Sequence, residues 1–148
     1  AADEQFHDGG TLAVIEQLAS PQPGLITLVC KGTERVRITQ RNHLVHGLWI
    51  ASVSQLDRDL SIPIPEDLKK TATALTQVLH TLHARDALNP AAALPTPEQL
   101  DDCGWVANRW CELLPVPTES KQRLMELDNP LVRLELVGDV LERTGIAQ

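Results

Sequence analysis

The chain has 148 residues, 43% of them apolar and 22% charged. That is one ordinary domain or two small lobes, able to hold an apolar interior without disulfide or metal staples. Thirteen Lys and Arg against twenty Asp and Glu leave a formal charge of −7. This lacks the cationic footprint that phosphate backbones and anionic bilayers demand, so no nucleic-acid and no membrane partner is expected. Five basic residues face seven acidic ones through Ile62, and eight face thirteen after it, so both parts are acidic.

The first part reads as strands. Thr11–Ile15 is apolar and β-branched, and Ser20-Pro21-Gln22-Pro23-Gly24 breaks it. Leu25–Cys30 is apolar at nearly every position, which predicts a strand covered on both faces, and Lys31-Gly32 predicts a tight hairpin after it. Arg35-Val36-Arg37-Ile38-Thr39 alternates with period two, sending Val36 and Ile38 inward and Arg35, Arg37 and Thr39 outward. Asn42–Gly47 is a loop and Leu48–Val53 a fourth strand. Short links between successive strands predict an antiparallel meander.

At Ile62-Pro63-Ile64-Pro65 the pattern changes to helix. Leu68, Ala72, Leu75, Leu79 and Leu82 form one stripe on a helix starting near Pro65, with Glu66 and Asp67 at its positive end. Asn89–Pro97 is a Pro/Ala-rich linker. Thr96-Pro97-Glu98-Gln99 has the composition of a capping box, and its helix is expected to run to Leu114, stopped by Pro115 and Pro117. A short helix to Leu127 follows, then one opened by Asp128-Asn129-Pro130 and closed by Gly145. The expected fold class is α+β: an antiparallel β-rich lobe over 1–62 and a helical bundle over 63–148 packed on it.

No phosphate-binding glycine loop, zinc-protease motif or nucleophile elbow is present. His43 and His46 share a loop, and His80 and His83 lie three apart on a helix, but no carboxylate stands at ligand spacing, so no metal or cofactor is expected. Cys30, Cys103 and Cys111 are odd in number and lack CxxC spacing. They read as small buried apolar groups in a reducing cytoplasm. Asp101 and Asp102 would raise the Cys103 thiol rather than activate it. On the helix after Thr96, Leu100, Cys103, Ala107, Trp110 and Leu114 share one face, from which Trp105 points away. Burial between lobes is the preferred reading of Trp105, and close approach at Gly104 would account for a glycine there.

Two groups of motifs carry a family resemblance. Gly10-Thr11-Leu12-Ala13-Val14-Ile15 and Lys31-Gly32-Thr33-Glu34-Arg35-Val36-Arg37-Ile38 resemble strands of the Lon substrate-binding (Lon N-terminal) domain. Leu113-Leu114-Pro115, Lys121–Glu126 and Asp128 through Arg133-Leu134 resemble its C-terminal helical signature, and Asp102–Trp110 is similar to a helix of small stand-alone bacterial members. Family members ordinarily open with a region supplying further strands and a helix; here Ala1–Gly9 corresponds to the loop before the first matching strand. The resemblance implies a PUA-like lobe, here an open or incomplete barrel, followed by a helical bundle. It also implies a non-catalytic role, with polypeptide segments or a protein partner bound. An exposed sheet edge would also join copies into a homo-oligomer. Arg35, Arg37, Trp49 and Trp105 are the candidate peptide-binding residues. The competing readings are a thiol- or metal-dependent hydrolase and, by analogy with PUA domains, an RNA-binding module that the charge opposes.

Overall fold

The computed structural model describes residues 5–85 and 94–146; most of the expected Pro/Ala-rich linker lies outside them. The chain divides into two units, Ala1–Arg58 and Asp59–Gln148. Strands come first and helices after, an α+β order.

In the first unit, β1 (Gly9–Gln22), β2 (Leu25–His43) and β3 (Trp49–Gln55) form an antiparallel sheet in the order β1-β2-β3. The chain reverses between β1 and β2 at Pro23-Gly24, where Gly24 takes φ +81°, a value strained for any residue with a Cβ. The hairpin expected at Lys31-Gly32 does not exist. Leu25–Cys30 and Arg35–Thr39 belong to one 19-residue strand, so the meander has three strands rather than four. The glycine marks a bulge instead. Thr11 pairs with Arg35 and Ala13 with Gly32, so Thr33 and Glu34 together face Leu12. The Thr33 hydroxyl donates to the Leu12 carbonyl at 3.1 Å, and Thr11 Cγ2 lies 3.2 Å from where a Gly32 Cβ would stand. A glycine inside a strand signals either a turn or this kind of close approach, and local sequence does not separate them.

Alternation over Arg35–Thr39 holds: Val36 is 5% exposed and Ile38 half-buried, while Arg37 and Thr39 face outward. Leu25–Cys30 is not covered on both faces; every residue in it is exposed. The β3 ladder ends at Val36–Gln55, followed by the Leu56 N–H donating to the Arg35 carbonyl at 2.9 Å. Beyond that point β2 continues with β1 on one side only. Among the described residues of this unit, Val36 alone is buried.

The second unit holds a helical core. Its lead-in is fastened by the Ile64 N–H to the Asp101 carbonyl (3.0 Å) and the Cys103 N–H to the Ile62 carbonyl (2.9 Å). A single 3-10 turn (Glu66–Leu68) runs into α1 (Lys69–Arg85). Leu75 is fully buried on the expected stripe, with Leu68, Ala72 and Leu79 partly covered and Leu82 emerging at the end. The Thr96 capping box forms with Pro97 at the first helical position, but its helix α2 (Pro97–Leu100) stops after one turn. The expected continuous helix to Leu114 is interrupted because Asp102 turns extended, bridges Pro63, and caps a separate α3 (Cys103–Leu113) by accepting from the Trp105 N–H at 2.7 Å. Next come α4 (Thr118–Glu126) and α5 (Pro130–Thr144), the latter capped by Asn129 and ended by Gly145.

The core forms where Val106, Ala107 and Trp110 of α3 meet Leu134, Val137 and Leu141 of α5. Trp110 satisfies its only polar atom by donating from Nε1 to the Thr71 carbonyl at 3.0 Å. No described helix is long and apolar enough to cross a membrane.

Candidate functional site

The most concentrated polar constellation surrounds Arg133 on α5, whose side chain is 1% exposed. Its five N–H groups all find acceptors. Nε donates to the Leu124 carbonyl (3.0 Å), Nη1 to Asp59 Oδ2 and Asn108 Oδ1 (3.1 Å), and Nη2 to Asp59 Oδ1 (3.2 Å) and the Leu127 carbonyl. The guanidinium thus ties α3, the end of α4 and the Asp59 lead-in to α5, and no donor remains for a ligand. This is structural machinery. Pattern reading placed Arg133 only inside a helical signature, and its one local clue is a charge among the apolar positions of an amphipathic helix.

The same carboxylate accounts for Gly104. A Cβ there would lie 3.1 Å from Asp59 Oδ2 and 3.3 Å from Asp102 Oδ1, a close approach that favours the glycine. The approaching groups are side chains rather than backbone.

The two thiols of α3 are not poised for nucleophilic work. Burial, reinforced by Asp102 and Asp101, pushes Cys103 up to about 11, and its Sγ donates to the Pro63 carbonyl at 3.6 Å. Burial also raises Cys111, against the opposing pull of Arg133 and Lys121. Cys30 departs from expectation: it is exposed on β2 rather than buried. Among the described residues no three His, Cys, Asp or Glu side chains gather into a metal-holding group. His43 instead lies against the Trp49 ring, centroids 4.5 Å apart, and Phe6 meets that ring edge-on at 5.2 Å.

The residues singled out for peptide binding do not form one cluster. Arg37 pairs with Ser54 of β3, and Trp49 lies five residues from Ser54 on the same strand, so Arg37 and Trp49 occupy opposite faces of the sheet. Arg35 shares the Arg37 face. Trp105 belongs to the helical unit, half-buried against its core with the Arg109 guanidinium 5.8 Å above the ring.

What stands out is the apolar surface of the β1–β2 ribbon. Leu12, Val14, Ile15, Leu18, Leu25, Ile26, Leu28 and Val29 are each between 44% and 67% exposed. Ile15 pairs with Cys30 and Leu18 with Leu28. Following the register through the bulge puts these four residues and Ile26 on the face that carries Arg35 and Arg37. Eight large, half-open side chains in one hairpin exceed the scattered exposure of an ordinary surface. The apolar runs Thr11–Ile15 and Leu25–Cys30 were legible in sequence; their exposure was not.

A family model of the substrate-binding domain of ATP-dependent protease La (Lon) matches residues 1–143. Comparison with curated proteins finds no match. Among solved structures, the crystal structure of a Lon N-terminal domain protein from Xanthomonas campestris aligns with a TM-score of 0.65 and 26% identity, over 93% of this chain and 70% of that one. The N-terminal domain of Mycobacterium avium complex Lon protease aligns with a TM-score of 0.58 and 20% identity, over 94% and 72%, a likeness of fold.

Proposed function

The chain belongs to the family of Lon substrate-binding domains, and from that premise we propose that it is a non-catalytic, cytoplasmic module that recognises polypeptide segments. The observation that carries this reading is the exposed apolar ribbon of β1 and β2. Covering a half-exposed Leu, Ile or Val contributes about 1 kcal/mol, so Ile15, Leu18, Ile26 and Leu28, which share one face, offer roughly 4 kcal/mol before the costs of ordering a bound chain. The remainder corresponds to weak, exchanging contact with unfolded segments rather than a permanent complex. A raised Cys103 thiol and the occupied donors of Arg133 support the absence of a reaction centre.

The test is fluorescence anisotropy of a labelled, permanently unfolded polypeptide titrated with the protein. Wild type is expected to bind it and to ignore a folded control. Leu18→Asp and Leu28→Asp, both at exposed positions, are expected to weaken binding by about tenfold. Binding unchanged by both substitutions, or absent in the wild type, overturns the reading.

A further inference from the structure

We draw no further inference here: the strongest candidate, the apolar tip of the β2–β3 hairpin, where Val45 and Leu48 stand exposed beside Trp49, carries nothing because nothing in the structure shows what covers it.

Discussion

Replacing Arg133 with Met keeps an unbranched side chain of similar reach but removes five N–H donors from a site that is 1% exposed. The Asp59 carboxylate, Asn108 Oδ1 and the Leu124 and Leu127 carbonyls all lose a partner at once. Breaking a buried ion pair from one side costs about 3–5 kcal/mol, because the abandoned charge stays desolvated. Asp59 is 19% exposed and recovers some hydration, which pulls the expected loss toward about 3 kcal/mol. Against a total stability of about 5–15 kcal/mol this is a large fraction. All α-helix of the described residues lies in Asp59–Gln148, so urea unfolding followed by ellipticity at the helical wavelength reads this unit directly. With a slope of about 2 kcal/mol per molar urea, the midpoint should fall by about 1.5 M. Arg133→Lys should recover less than half of the loss, since an ammonium cannot reach Asp59, Asn108 and two carbonyls with a planar fork. A cycle with Asp59→Asn should show coupling of about 2 kcal/mol. An Arg133→Met loss below about 1 kcal/mol, or a Lys variant equal to wild type, would refute the clamp.

Gly104→Ala should destabilise by about 1–2 kcal/mol despite alanine's better helix propensity, lowering the melting temperature by several degrees. The methyl group meets Asp59 and Asp102, the first pinned by Arg133 and the second by its cap on Trp105. Trp110→Phe removes the indole donor while the Thr71 carbonyl, inside α1, keeps its helical bond, so the loss should be about 1 kcal/mol in the same unfolding assay, a neutral result counting against the bond. Below pH 9 the Cys103 thiol is protonated in both folded and unfolded chains and leaves stability unchanged. Between 9.0 and about 11 the unfolded thiol ionises first, so stability should fall as pH rises through that window. Cys103→Ala should flatten this alkaline limb, and identical limbs for the two proteins would show that the thiol's environment is ordinary.

Local chemistry was readable wherever a residue acts on its immediate neighbours. Thr96 with Gln99, Asn129 before Pro130, Gly145 after α5 and the Val36–Ile38 alternation all specify geometry within a few residues, and each took the form its chemistry requires. The order of strands before helices, and with it the α+β class, follows from the same short-range signals. Distant contacts were silent in sequence. Gly32 became a bulge rather than a turn because β1 lies alongside it, and Asp102 broke a helix because Pro63 pairs with it from 39 residues earlier. Arg133 became a buried clamp because Asp59, Asn108 and two carbonyls converge on it. Whether Leu18, Ile26 and Leu28 are core or surface is equally nonlocal: hydrophobicity states that an apolar side chain gains by being covered, and only the packed chain shows which ones stay exposed.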